Sequence, residues 1–403
     1  MPATALRCRI CETEFPLDPV GVCSRCFGPL EPVYAPDRTV TRAEIEAGPP
    51  NIWRYAPLLP VAAPAEPRLA PGFTPLVAAP RLASAVGVGE LYLKLDTANP
   101  THSFKDRVVA VACAKALELG YTTLACSSTG NLANAVAARA AAEGIEAAVL
   151  VPADLEPEKL VATSVYGATI FAVNGTYDDC SRLSVELSFE LDWAFVNVEL
   201  RAYYAEGSKT IAFEIAEQLG WELPDAVVAP IASGAMYSKV HKGFGELLEL
   251  GLVEGTRPRI VGGQAEGCAP VARAFADGAK VKPVRPNTIA RSIAIGSPAD
   301  GDLAVATAIA SGGSIHIVPE DEIPENIKLL AETTGVFGET APATALGALR
   351  EAVRRGELGE NDRVVLLVTG DGLKTPALVA DTFEPVLVEP DADRILESLG
   401  VAV

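Results

Sequence analysis

Lys105 lies where one kind of element gives way to another, in the stretch LYLKLDTANPTHSFKD at residues 91–106. Leu91, Leu93 and Leu95 alternate with Tyr92 and Lys94, the period of a strand with one buried face. Pro100 breaks the extended run, and Ser103 and Asp106 bracket a helix whose apolar positions Val108, Ala112, Ala116 and Leu119 lead up to Gly120. An ammonium group at the positive end of a helix dipole is disfavoured, so a lysine held at this junction has a reason to be partly neutral and nucleophilic. On Lys105 alone, a solvated surface lysine is the better reading.

Two loops add anion-binding chemistry. A short apolar strand at 122–126 leads into Ser127-Ser128-Thr129-Gly130-Asn131 and an alanine-rich helix ending at Gly144, so hydroxyls, a glycine and free helix N–H groups converge. Small polar residues of this kind also cap structural helices. The second loop, Pro230 to Ser238, follows a strand at 226–229, and ligands of open α/β sheets bind outside the carboxyl ends of strands. Ala232, Ser233, Gly234 and Ala235 are small enough to let backbone N–H groups approach a phosphate. The nucleotide-binding spacings GxxxxGK[ST] and GxGxxG do not account for either loop.

Metal chemistry is suggested at the other end of the chain. Cys8-x-x-Cys11 and Cys23-x-x-Cys26 offer four thiolates for a tetrahedral zinc ion, and with all four positions filled by protein the metal is expected to be structural. Cys113, Cys126, Cys180 and Cys268 are scattered and read as small buried hydrophobes.

Five motifs then fall in one order: THSFKDR at 101–107, SSTGN at 127–131, EGSKT at 206–210, PIASGAMYS at 230–238 and TGDGLK at 369–374. Together, from about residue 70 to 376, they resemble the threonine synthases, pyridoxal-phosphate enzymes of fold type II. The resemblance implies an α/β chain with two doubly wound open-sheet domains, the cofactor between them, and a small N-terminal zinc ribbon. It implies an aldimine of pyridoxal 5'-phosphate on Lys105, with Phe104 beside the ring, Asn131 on the ring oxygen and Thr369 at the pyridine nitrogen. Residues Ala232, Ser233, Gly234, Ala235 and Met236 would bind the cofactor phosphate. Ser128 and Thr129 would hold the substrate carboxylate, and Ser103, Lys209 and Arg201 are the candidates for the substrate phosphate. The implied reaction converts O-phospho-L-homoserine and water to L-threonine and phosphate, and a homodimer is usual for the family. The segment VNVELRAYY at 196–204 departs from the shorter family members in length and polarity, at the place where substrate-phosphate contacts are expected. Two other readings stay open. One is a threonine or serine dehydratase, or a β-replacement enzyme resembling cysteate synthase. The other is a zinc-ribbon interaction protein with an inactive catalytic half, against which Lys105, Asn131 and Thr369 all stand intact.

The elements that must position these residues are legible in outline. A chain of 403 residues suggests roughly two or three domains. The expected divisions are 1–34 as a zinc-ribbon-like module, 35–104 as an extended arm and the start of the large domain, 105–204 as a small α/β domain, and 205–403 as the large α/β domain. The proline-rich stretch 35–80 is expected to lack regular helices. Strands at 147–151, 169–173, 194–198 and 364–368 alternate with helices at 157–166, 177–191 and 204–219, a pattern of right-handed crossovers and parallel sheets. The 33 basic against 52 acidic side chains give a net charge of −19, which opposes a nucleic-acid surface but not a locally donor-rich pocket for a small anionic substrate. No secretory pattern and no long apolar run is seen, so a cytoplasmic enzyme with no membrane contact is expected.

Overall fold

The structure is a computed structural model that describes residues 3–400 except Pro36, Thr129, Glu156 and Phe383. Its N-terminal strands β1 (Ala5–Cys8), β2 (Glu14–Phe15) and β3 (Leu30–Val33) form an antiparallel sheet in the order β2-β1-β3. The chain continues through β4 (Leu76–Ala78), β5 (Glu90–Leu95), β6 (Thr123–Ser127), β7 (Glu146–Pro152), β8 (Thr169–Val173), β9 (Ala194–Phe195), β10 (Ala226–Pro230), β11 (Arg259–Ala265), β12 (Ser314–Val318) and β13 (Arg363–Val368). A four-stranded parallel sheet has the order β8-β7-β6-β9. A six-stranded sheet has the order β12-β11-β10-β13-β5-β4, parallel throughout except for the antiparallel edge strand β4. The parallel sheets expected from the alternation, and the two doubly wound α/β sheets implied by the resemblance, are therefore present, with the small antiparallel sheet beside them.

Central strands of parallel sheets are covered on both faces, which is why β6 and β10 are buried along their whole length. In the six-stranded sheet Val227, Ala229, Val365 and Leu367 enter one core, while Ala226, Val228, Val364 and Leu366 enter the other. Leu6, Cys8, Cys23 and Leu30 of the N-terminal sheet share a core with Val108, Ala112 and Tyr203, so the cysteine module is fused to the helix that begins at Lys105.

Three expectations need correction. Residues 35–80 do contain regular turns: a helix at Arg42–Glu46, started by a capping box between Thr41 and Glu44, and a 3-10 helix at Ile52–Leu58 that buries Ile52, Trp53, Tyr55 and Leu58. No proline falls inside the first, and local capping outweighs the composition around it. The single helix expected at 204–219 is two helices, Arg201–Glu206 and Lys209–Gln218. The chain between them presses on the Lys105 helix, since a Cβ at Gly207 would sit 2.7 Å from the Arg107 carbonyl oxygen. The strand expected at 194–198 stops at Phe195, and Asn197 turns to bond the Ser127 carbonyl and hydroxyl at 3.2 and 3.0 Å. Among the described residues no helix is long and apolar enough to cross a membrane.

The Lys105 turn is held by a buried ionic cluster two residues away. Arg107 is fully buried and bonds both oxygens of Asp96 at 2.9 and 2.8 Å, both oxygens of Glu214, and the hydroxyls of Thr74 and Thr210. Lys94 completes the set at 2.6 Å from Glu214, which also accepts the backbone N–H groups of Phe73 and Thr74. Burial alone would raise the Glu214 carboxyl, yet Arg107 and Lys94 outweigh it and hold it at about 2. Because this pKa lies below that of an unfolded glutamate, the contribution is complete above about pH 4.5 and is lost as pH falls through about 2. Arg107→Met leaves two buried carboxylates under-compensated and is expected to cost about 3–5 kcal/mol. Urea denaturation at pH 7 checks that figure, and the loss should shrink when the titration is repeated in acid.

Candidate active site

Lys105 is the first residue of the helix Lys105–Glu118. Its turn is stitched to the end of β13 by a Ser103 to Gly370 bridge and by the Phe104 N–H, which donates to the Thr369 carbonyl at 3.0 Å. The Lys105 amine bonds the Tyr204 hydroxyl at 3.0 Å and stands 4.5 Å above the Phe104 ring. Burial lowers its pKa to about 8, against smaller raising contributions from Tyr177, Cys126 and Glu339. Desolvation, rather than the helix dipole that the sequence suggested, is thus the leading cause of its partly neutral state.

The amine opens into a cavity of about 710 Å³ between the two large sheets. Ser128 and Asn131 line it from the end of β6, Ala232 to Met236 from the end of β10, and Thr369 from the end of β13. Gly234 has φ +93°, and a Cβ there would come 2.6 Å from the Asp300 carbonyl oxygen, so only glycine closes this loop onto the helix Ala235–Glu249. Three strand ends and two helix N-termini therefore converge on one space, as open α/β sheets arrange ligands.

The sequence candidates divide as follows. Phe104, Lys105, Ser128, Asn131, Arg201, the 232–236 loop and Thr369 all line the cavity. Thr129 lies outside the described residues. The Ser128 hydroxyl accepts the N–H groups of Gly130 and Ala133, each at 2.9 Å, so it caps the helix Asn131–Glu143. Ser103 is fully buried, its hydroxyl has no partner among the described residues, and it is not part of the cavity wall. Lys209 does not reach the site. Its amine is buried among Glu206 at 2.6 Å, Glu246 at 2.9 Å, the Tyr34 hydroxyl and the Leu58 carbonyl, because it falls on the inward face of its helix. Ser208, one position earlier in the same motif, lines the cavity instead.

Several residues in the wall or directly behind it were not singled out from sequence. Asn131 donates to Glu339 at 2.6 Å and accepts from Lys374 at 2.9 Å, which fixes the orientation of its amide. Glu339 is almost fully buried, with its other oxygen unpartnered among the described residues. Arg201 pairs with Asp300, whose N–H donates to Ser233 at 2.9 Å, so the guanidinium is tied to the 232–236 loop. Glu199 is pushed up to about 7 by burial, which weakens its opposition to an anion at neutral pH. Lys374 stood in the TGDGLK motif, and Glu199 and Tyr204 in the 196–204 segment, without being singled out; Glu339 and Asp300 gave no signal, since distant segments bring them in.

The N-terminal module forms part of the same wall. Pro19 to Ser24 and Phe27 line the cavity, and at Gly21 a Cβ would come 2.9 Å from the Val198 carbonyl oxygen. Behind this wall the four cysteine sulfurs cluster, with Cys8 to Cys26 at 3.4 Å, Cys11 to Cys26 at 3.4 Å and Cys11 to Cys23 at 3.6 Å. The Ile10 and Arg25 N–H groups each point at a sulfur from 3.4 Å. At Gly28 a Cβ would meet Cys8 Sγ at 2.9 Å, so the knuckle is closed around the sulfurs.

Comparison with known proteins agrees with this geometry. Residues 67–370 match the family model described as pyridoxal-phosphate dependent enzyme. The threonine synthase of Methanosarcina acetivorans is 37% identical over 98% of both chains, and that of Methanocaldococcus jannaschii is 35% identical over 98% of this chain and 99% of its own. The Mycobacterium tuberculosis threonine synthase is 36% identical over 82% of this chain and 90% of its own. Among solved structures, diaminopropionate ammonia lyase from Escherichia coli aligns with a TM-score of 0.67 at 18% identity, covering 84% of this chain and 91% of its own. A threonine deaminase from Solanum lycopersicum aligns with a TM-score of 0.63 at 22% identity, covering 77% and 84%.

The lowered pKa of Lys105 gives a direct expectation. Its neutral form grows as pH rises through about 8, so in cofactor-free protein a small amine reagent such as cyanate should modify it with a midpoint there. Exposed lysines should need about pH 10.4. Peptide mass mapping of carbamylation against pH checks it, and a midpoint near 10 would contradict the burial argument.

Proposed function

The chain belongs to the pyridoxal-phosphate dependent enzymes and, within them, to the threonine synthases, and from that premise we propose how its cavity performs the synthase reaction on O-phospho-L-homoserine. The observation that carries the reading is the joint placement of a buried, partly neutral lysine amine, a glycine-closed helix N-terminus and an oriented asparagine on one cavity of about 710 Å³.

The residues suit pyridoxal phosphate by their chemistry. Lys105 offers an amine to an aldehyde, the backbone N–H groups of 233–236 suit a phosphate, and Thr369 presents a hydroxyl at the end of β13. When bound, that cofactor supplies the electron sink that lets protons leave the carbon skeleton of an amino acid. Lys105 Nζ, once freed, is the group placed to carry those protons, with Tyr204 as its hydrogen-bond partner. Asn131 is held in one orientation by Glu339 and Lys374, so it can position without rearranging. The helix N-terminus at Asn131 receives the substrate carboxylate. Arg201, anchored by Asp300, takes the substrate phosphate with Ser208 beside it, in place of Lys209. Pro19 to Ser24 and Phe27 close one side against bulk water.

The four cysteines are assigned to one structural zinc ion. Tetrahedral Zn–S bonds of about 2.3 Å require sulfurs about 3.8 Å apart, and the cluster, all within 4.8 Å of one another, needs little adjustment. The homodimer usual for the family belongs to the same proposal, and light scattering reads it.

The wild type should release threonine and phosphate in equal amounts. Arg201→Met should raise KM for the phosphorylated substrate about ten- to a hundredfold, the worth of one charge-assisted hydrogen bond. Lys105→Ala should abolish turnover together with the borohydride-reducible absorption band. Ammonia and a 2-oxo acid as main products would replace this reading by a dehydratase.

For the metal, elemental analysis should give one zinc per chain. Cys23→Ser should lose it, and because Cys23 itself lines the cavity, the variant should show both faster proteolysis near the N-terminus and a higher KM. Metal-free protein with unchanged proteolysis would count against the assignment.

A further inference from the structure

The helix Ala235–Glu249 borders a second cavity, of about 1050 Å³, between itself, the N-terminal sheet and the segment 34–40. Ser238, His241, Lys242 and Gly245 recur at helical spacing and form one face of that helix. Three residues of the lining each hold a buried polar atom with no partner among the described residues: Ser238 Oγ, His241 Nε2 and Arg38 Nη1. Ser238 and His241 are only 5% and 8% exposed, and the Arg38 side chain 9%, so water does not readily satisfy them. Buried polar atoms are almost always paired, and three such atoms on residues around one cavity point to a ligand with acceptor oxygens.

Charge points the same way. Lys209, Lys239, Lys242 and Arg38 meet Glu31, Glu206 and Glu246 in one cluster, formally four cations against three carboxylates. Burial opposes ionisation of Glu31, yet Lys239 and Lys242 hold it at about 2, so Glu31 counts as a full negative charge and the cations still outnumber the carboxylates. Arg257 adds a further cation. Its guanidinium lies against Gly245, where a Cβ would overlap it, and its ion pair with Glu249 is long, at 3.9 Å. Burial and then Arg257 push His241 down to about 4, so its ring is neutral at pH 7. A locally positive, donor-rich recess in a chain of net charge −19 calls for an anion.

We propose that this cavity binds a small phosphate-like oxyanion, either free or as a monoester, through Arg38 Nη1, Ser238 Oγ and His241 Nε2, with Arg257 at the rim. The site is separate from the Lys105 cavity and does not depend on the reaction assigned there.

Calorimetric titration of the holoenzyme with sodium sulfate and, separately, with glycerol 3-phosphate tests it. Saturable binding that does not compete with substrate is expected, weakened about tenfold or more in the Arg38→Met, Arg257→Met double variant. Turnover without added anion should stay within about twofold of wild type. The single variant Arg257→Met, at a side chain 37% exposed and so of little risk to folding, should weaken binding about threefold. Tighter binding of the ester assigns the site to an organic phosphate, and equal binding assigns it to the free ion. Absence of saturable binding, or binding that competes fully with substrate and is unchanged in both variants, would overturn the proposal.

Discussion

The cluster centred on Arg107 is the constraint on which the catalytic cavity depends. A guanidinium with no exposure must find carboxylates to match it, and it finds Asp96 at the end of β5 and Glu214 in the helix Lys209–Gln218. Lys94 and the N–H groups of Phe73 and Thr74 complete the shell. Each of these lies on a different segment, so the cluster forms only when β5, the entering loop and the Lys209–Gln218 helix are all in register. Gly72 belongs to the same knot: at φ +88°, a Cβ would come 2.8 Å from the Ile52 nitrogen and 2.9 Å from Glu214. Removing one partner from such a set costs more than the set contributes over an apolar core, so its role is specificity of register as much as stability. Two residues away, Lys105 inherits that fixed geometry.

The cavity itself follows from sheet topology. β6, β10 and β13 are parallel strands in two sheets, and their carboxyl ends open toward the same space with a loop and helix or turn after each. Helix N-termini supply N–H donors there without further cations, so the site offers anion-compatible donors inside a strongly acidic chain. Burial then does the rest at Lys105, because an amine out of water favours its neutral form.

The N-terminal module is structurally part of this arrangement. Its hydrophobic residues share a core with the Lys105 helix, and its second knuckle forms cavity wall. Arg9 extends the connection, lying 4.0 Å from Asp300, the partner of Arg201. The ionic cluster around Lys209 joins the same module to the rest of the chain through Glu31. A lysine read from its motif as a substrate ligand thus serves to hold the architecture together.

Sequence alone determined what depends on local pattern and chemical type. The strand, turn and helix around Lys105, the parallel alternation, the small-residue loop at 232–236 and the paired cysteine knuckles are properties of neighbouring residues, so period and spacing reveal them. Which side chains reach the cavity is a different question. Ser208 faces it and Lys209 turns away, a difference of about 100° on one helix that the EGSKT motif does not encode. Tyr204, Asp300 and Glu199 come to the site only because two helices, a turn and the N-terminal module fold against one another. The pKa of Lys105 was foreseen in direction but credited to a dipole, whereas its main cause is the removal of water. Tertiary structure decided these points, because burial and long-range pairing exist only once the sheets have closed around the space between them.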